Sequence, residues 1–194
     1  MKKIISILIS LIAIQTLVFV PRLAAASGPS FEIGFSYGLR SVVNSDIKEV
    51  YGNGTSYFPS VALIWKGLMF GAGYEGGYKR DGLIGIYQEA TTLSVAGPEV
   101  FIGYQLQLGI FSPYVKVGYG FYSYKQTIES EYVSDYPVDG SKSGLIFSGG
   151  FKIYPIKHLF IAAEVKYGHL KVKPYDIEVD LGGMRLNGGL GIRF

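Results

Sequence analysis

The chain has no cysteine. A disulfide framework is therefore excluded, and stability must come from a backbone ladder and its surroundings. After residue 20 no segment approaches ~20 consecutive apolar residues, so no later helix spans a membrane. A surplus of charge is missing as well. The formal net charge is +3, but Lys2, Lys3 and Arg22 precede residue 27 with no acid among them. Of 18 basic residues these three fall in the leader, which leaves 15 against 15 acidic ones. The basic balance belongs to the leader, and no nucleic-acid role follows from charge.

The leader itself is legible. Lys2 and Lys3 precede an apolar run from Ile4 to Val20, and Leu23-Ala24-Ala25-Ala26-Ser27 follows. Small residues at Ala24 and Ala26 fit a signal-peptidase site with cleavage before Ser27. An uncleaved anchor is the alternative, disfavoured by the small-residue site directly behind the run. The expected organisation is a signal peptide over 1–26 and one domain over 27–194.

What is present is glycine, tyrosine and phenylalanine: 27, 16 and 12 residues. They alternate with period two, the signature of strands. Phe31, Ile33, Phe35, Tyr37 and Leu39 share a face, opposed by Glu32, Gly34, Ser36, Gly38 and Arg40. The same pattern recurs from Leu68, Val100, Val115, Leu145, Ile161 and Met184, and less clearly over Ser60–Trp65. Leu93 and Val95 begin a strand whose phase is expected to slip, through a bulge, at Gly97-Pro98. Eight strands and no extended amphipathic helix result. Lys66-Gly67, Gln107–Ser112 and Pro155–His158 are short connections. Ser41–Ser56, Arg80–Glu89, Lys125–Lys142 and Val172–Gly182 are long and polar. All the short ones fall on one side, as in barrels of bacterial outer membranes.

A soluble barrel would turn its apolar face inward. Eight strands enclose a lumen just wide enough for side chains. It cannot hold so many Phe, Tyr, Leu and Val residues. Glycine on the opposite face makes room in a narrow interior for isolated charges. The expected barrel is therefore inverted, with apolar residues toward lipid. Phe31 and Phe194 should mark one membrane boundary, and Tyr78, Tyr122, Tyr124 and Tyr167 the other.

The last strand, Leu186-Asn187-Gly188-Gly189-Leu190-Gly191-Ile192-Arg193-Phe194, ends in Phe with apolar residues two, four and eight positions earlier. It resembles the C-terminal signature of Gram-negative outer-membrane proteins. Gly188 departs from the usual large apolar residue. With the leader, the loop asymmetry and the length, the chain resembles the OmpA/OmpX-type small outer-membrane β-barrel family. That resemblance implies an all-β, eight-stranded antiparallel up-and-down transmembrane barrel in the outer membrane. It also implies a barrel-assembly machinery that reads Leu186, Leu190, Ile192 and Phe194. Outer-membrane lipid is the expected surrounding and a monomer the expected state.

Motifs for chemistry are sparse. Gly71-Ala72-Gly73-Tyr74-Glu75-Gly76 satisfies G-x-G-x-x-G but lies inside a strand, where no nucleotide fold is expected. His169-Leu170-Lys171 lacks the serine of a lipid A deacylase, and His169 reads as a girdle residue. His158 lies in a short turn. Asp176-Ile177-Glu178-Val179-Asp180 lacks the turn glycine of a calcium loop and reads as an exposed acidic hairpin. Asn53-Gly54-Thr55 is only a formal glycosylation sequon. No catalytic, cofactor or metal residues are assigned.

The informative set is the inward one: Glu32, Glu75, Glu99 and Glu164 with Lys116, Lys152, Lys166, Arg185 and Arg193. Charges in a narrow lumen must be paired or hydrated. A salt-bridged plug is the expectation, with a solvated interior as the alternative. Asp46, Glu49, Glu129, Glu131, Asp135, Asp139, Asp176, Glu178 and Asp180 are expected in loops. The functional expectation is a non-enzymatic barrel displaying polar loops. A narrow pore for small or apolar solutes is the second reading and a lipid-modifying enzyme the third.

Overall fold

The computed structural model describes residues 28–130, 136–172 and 179–194. The leader with its cleavage site, and Glu131, Asp135, Asp176 and Glu178, lie outside them.

The elements are β1 (Ser30–Val42), α1 (Ser45–Tyr51), β2 (Gly54–Trp65), β3 (Leu68–Ile84), β4 (Glu89–Gln105), β5 (Phe111–Glu129), β6 (Tyr136–Ile156), β7 (Leu159–Gly168), β8 (Lys171–Val172), β9 (Val179–Asp180) and β10 (Gly183–Arg193). Eight of the strands close one barrel in which every strand pairs with its sequence neighbours and β10 returns to β1. β8 and β9 form a small separate hairpin between β7 and β10. The fold is the all-β, eight-stranded antiparallel barrel that the alternation predicts.

The ladder is staggered. From Glu32 it runs through Ala62, Gly71, Phe101, Gly118, Ile146 and Gly168 to Gly183. Glu32 pairs directly with Arg193, ten residues further along β10. A stagger of this kind is what closure of a tilted sheet requires. Lys66 and Gly67 both adopt positive φ (51° and 86°), the two-residue turn that matches strand twist.

The outward face is apolar around the whole barrel. Phe35, Tyr57, Ile102, Val117, Phe147, Ile161 and Leu190 are all exposed. Such a surface exceeds what a soluble monomer leaves open, and hydrocarbon satisfies it. The outward tyrosines of the barrel wall, among the described residues, are Tyr37, Tyr57, Tyr74, Tyr104, Tyr119 and Tyr167. Of the four expected at the outer boundary only Tyr167 is among them. Tyr78 and Tyr122 are buried inside, and Tyr124 packs against the same interior cluster.

Tyr78 turns inward because a bulge lies in β3. The β3–β4 register shifts between Glu75 and Tyr78, and Gly77 takes a positive φ of 88°. The expected slip at Gly97-Pro98 is absent: β4 alternates without interruption, with Leu93, Val95 and Glu99 all inside. A glycine at Gly77 accepts the left-handed backbone that a one-residue bulge needs.

The barrel wall is uneven. β3 to β6 have 17, 17, 19 and 21 residues, whereas β1, β2, β7 and β10 have 13, 12, 10 and 11. A spanning strand needs about 9–11 residues. β3–β6 thus continue above the membrane as a four-stranded sheet. Two expected long loops are largely this sheet: pairing persists to Ile84↔Glu89 and to Ile128↔Tyr136. In a third, Ser41–Ser56, the chain forms α1. Asn44 caps it by accepting from the Ile47 amide at 3.0 Å, and Gly52 ends it at φ 67°.

Candidate functional site

The lumen is filled in layers, each built from inward positions of strands that the register brings level. At the periplasmic end Glu32 receives Lys152, Arg193 (Nε–Oε1, 2.9 Å) and the Tyr154 hydroxyl (2.6 Å). Gln105 joins this layer, accepting from Lys152 at 3.1 Å and donating to Tyr154 at 3.0 Å. Above it Glu164 binds Lys116 at 2.5 Å and the Tyr114 hydroxyl at 2.7 Å.

The third layer is the densest. One Glu75 oxygen faces Arg185 Nε at 2.6 Å and Arg40 Nη1 at 3.2 Å. Its other oxygen meets Lys166 Nζ at 3.5 Å, and Lys166 also binds Glu99 at 2.9 Å. Tyr122 donates to Glu99 at 2.5 Å. Arg40 reaches the Leu181 carbonyl at 2.9 Å and stacks on Tyr78. Lys166 lies 3.6 Å from the centre of the Phe58 ring. These charges are nearly solvent-free: Arg40, Glu75, Lys166 and Arg185 are each 1% exposed. Burial of that degree is tolerable only with multiple partners per charge. Arg185 Nε is close to Glu75 by distance, yet its N–H is poorly aimed, and Arg40 Nε and Arg185 Nη1 also lack a hydrogen-bond acceptor.

All nine residues of the expected charge set point inward, and they divide into these three layers. Sequence reasoning left out Arg40, although it shares the face of Glu32. It also left out Tyr114, Tyr122, Tyr154 and Gln105, which share the faces of Lys116, Lys152 and Glu99. Strand parity was the signal that could have found them. With Arg40 included, six cations stand against four carboxylates in the layers.

A pocket of about 60 Å³ remains between the lower layers, lined by Ser36, Ser60, Lys116, Glu164 and Asn187. Asn187 Oδ1 has no partner there. A space of this size fits a few water molecules.

Above the charges the filling turns apolar. Val42, Tyr51, Tyr78, Leu93, Val95, Tyr122, Ile146, Leu170 and Leu181 form one buried cluster, with Ile47 and Val50 of α1 packed on it. Tyr51 anchors α1 through Thr91 Oγ1 (2.9 Å) and Gln126 Nε2 (2.7 Å). Burial pushes the Tyr51 phenol above its ordinary pKa, while those two bonds act in the opposite direction.

The remaining sequence candidates have structural partners. His158 Nδ1 sits 2.9 Å from the Arg193 carbonyl at the short turn. His169 faces Asp180 at 2.9 Å above the barrel, so it belongs to a loop contact and is no girdle residue. Asp180 also accepts from the Leu170 and Gly182 amides. Gly71–Gly76 lies within β3. Among the described residues no cluster of His, Cys, Asp and Glu could hold a metal ion. Leu186, Leu190, Ile192 and Phe194 face outward, and Phe194 exchanges backbone hydrogen bonds with Phe31 at the seam.

Comparison with known proteins agrees with this geometry. No curated protein matches the chain in sequence. Among solved structures it is similar to Neisserial surface protein A, at 14% identity and a TM-score of 0.58, covering 86% of this chain and 99% of that one. It is similar to Ail, the attachment invasion locus protein of Yersinia pestis, solved with the heparin analogue sucrose octasulfate: 15% identity, TM-score 0.57, 86% and 99% covered. It is also similar to the N-terminal β-barrel domain of Pseudomonas aeruginosa OprF, at 15% identity and a TM-score of 0.51, with 85% and 97% covered. The family model described as "Outer membrane protein beta-barrel domain" matches residues 10–194. The chain therefore belongs to the outer membrane protein beta-barrel domain family and is an integral protein of the Gram-negative outer membrane.

Proposed function

We propose that this barrel is a sealed, non-enzymatic anchor that holds a rigid sheet above the outer membrane. The observation carrying this reading is the double closure of the lumen. A three-layer ion-pair network fills the membrane-level interior, and an apolar cluster capped by α1 fills the mouth. Either alone would stop a hydrated solute. Together they tie the wall of β3–β6 to β1 and β10. The charged layers act as struts across the barrel. Their partners come from different strands, so each fixes the distance between opposite walls.

The same reading treats residues 1–26 as a removed leader and 27–194 as the inserted domain. It treats Leu186, Leu190, Ile192 and Phe194 as the strand read by the assembly machinery. The barrel works as a monomer, without cofactor and without nucleic acid. Both histidines are engaged with structural partners, which supports a non-catalytic role.

Planar-bilayer recording of the purified protein tests the seal. The expected result is no steady conductance from the natural barrel or from a Glu75→Ala/Lys166→Ala variant, whose apolar mouth is still closed, and measurable conductance only when Leu93→Ala is added to open that mouth as well. Steady current through the natural protein would instead favour the narrow-pore reading.

A further inference from the structure

The outer wall of β3–β6 carries a groove of about 570 Å³, just where the lipid-facing band ends. It has a physical origin. Pro98 of β4 has no backbone N–H to give the ladder, and the β3 bulge at Gly76-Gly77 interrupts pairing opposite Ala96. Outward positions at that height are small: Ser94, Ala96, Ser123 and Ser141. Below the groove the wall is aromatic, with Tyr74, Tyr119 and Phe121 exposed. Tyr119 and Phe121 pack edge to face, and Tyr119 bonds Ser143 at 2.8 Å.

The rim is cationic on its β3–β5 side only, where Lys125 lines the groove and Lys79 stands just beyond Ser94, and Asp139 lines the other side. Lys79, Ser94 and Lys125 stand side by side on three adjacent strands. Neighbouring strands lie about 4.8 Å apart, so the two lysine stems straddle a gap of about 10 Å. Both lysines are exposed, and neither has an ion-pair partner among the described residues. Asp139 follows Lys125 on β6 and closes the row on that side. Asp81, one step higher, is engaged by the Thr92 hydroxyl at 2.7 Å. On the opposite wall Ser41, Thr55 and Met184 occupy the end of the band, with no cation.

We infer that this groove holds the phosphorylated sugar headgroup of an outer-leaflet glycolipid. The phosphate sits between Lys79 and Lys125, away from Asp139. The sugar ring lies in the small-residue dent above Tyr74, and the acyl chains follow the aromatic wall downward. Continuity with the lipid-facing band selects a membrane lipid over a soluble ligand. Charge complementarity selects an anionic one. Tyrosine suits the boundary because its ring is apolar and its hydroxyl wet.

The test uses full-length folded protein in phosphatidylcholine nanodiscs with and without bis-phosphorylated lipid A. Native mass spectrometry counts the lipid A that stays bound. The natural protein should retain it. K79Q/K125Q should retain roughly thirtyfold less, the scale of two lost lysine contacts beside anionic headgroups. S123W, which fills the dent and keeps both charges, should lose it as well. Heat-modified gel migration checks that each variant is a closed barrel. Dephosphorylated lipid A should bind no better than phosphatidylcholine, and inorganic phosphate should not compete. Undiminished retention by folded K79Q/K125Q overturns the inference, as does displacement by inorganic phosphate. Neither result touches the conductance on which the sealed-barrel reading depends.

Discussion

Within one continuous wall, two regions obey opposite rules. In the membrane band of β4, Val100 and Ile102 face outward while Glu99 faces in. A few residues higher on the same strand, Leu93 and Val95 face inward and Ser94 faces out. The backbone alternation never breaks there; only the solvent changes. In hydrocarbon the apolar set belongs outside. In water it belongs inside, where it forms the cluster under α1. A barrel that outgrows the bilayer becomes an ordinary sheet with a core of its own.

The comparison can be broken most severely from the charged side. Glu75→Ala leaves Arg40, Arg185 and Lys166 facing each other without their shared carboxylate. The expected loss is about 3–5 kcal/mol, the cost of stranding a buried charge. Urea unfolding in lipid, followed through the fluorescence of Trp65, measures it. An unchanged midpoint would mean that water already carries these charges.

The apolar storey should respond to truncation nearly as strongly. Leu93→Ala empties part of a packed core and should cost about 2–5 kcal/mol. Its signature would be earlier proteolysis of α1, with the membrane-level barrel still protected. A loss of both together would show that the two storeys unfold as one unit.

Charge insertion places the boundary. Ile102→Arg puts a cation into hydrocarbon and should cost roughly 2–4 kcal/mol. Thr92→Arg, on the same face of the same strand but above the band, should stay within about 0.5 kcal/mol. Equal costs at the two positions would remove the boundary drawn between them. Apart from that near-neutral control, the smallest effect expected is at Tyr51→Phe. It removes hydrogen bonds to Thr91 and Gln126, worth about 1 kcal/mol, and should mainly speed hydrogen exchange within α1.

This division also explains what was legible in the sequence. The membrane band was, because period-two alternation combined with lipid gives one consistent sign. Phe31 to Leu39 and Leu186 to Phe194 fall where that sign places them. Above the band the same rule misleads. It puts Leu93 and Val95 on an outward apolar face and needs a phase slip to reconcile them with Glu99, whereas all three face inward without one. The rule places Tyr78 and Tyr122 in a girdle, whereas they fill the interior. Polar stretches such as Arg80–Gly82 and Lys125–Thr127 read as loops because strands with wet outer faces look like loops. Strand parity with Glu32 makes the inward position of Arg40 legible, but not its partner: Glu75 lies 35 residues away across the lumen, and no local pattern encodes that pairing. The bulge at Gly76-Gly77 could have been suspected from the paired glycines, but alternation alone does not locate it.

The seam between β1 and β10 has a consequence for timing. Its contacts join residues such as Glu32 and Arg193, 161 positions apart. The first strand therefore has no permanent neighbour on one side until β10 has arrived. Every earlier stage leaves an open edge that can pair with other chains. Closure waits for β10, and it is slow because the longest loop must be ordered before that ladder rewards it. The chain must be kept extended and escorted for that whole interval. A product lacking even β10 has no shorter barrel to fall back on.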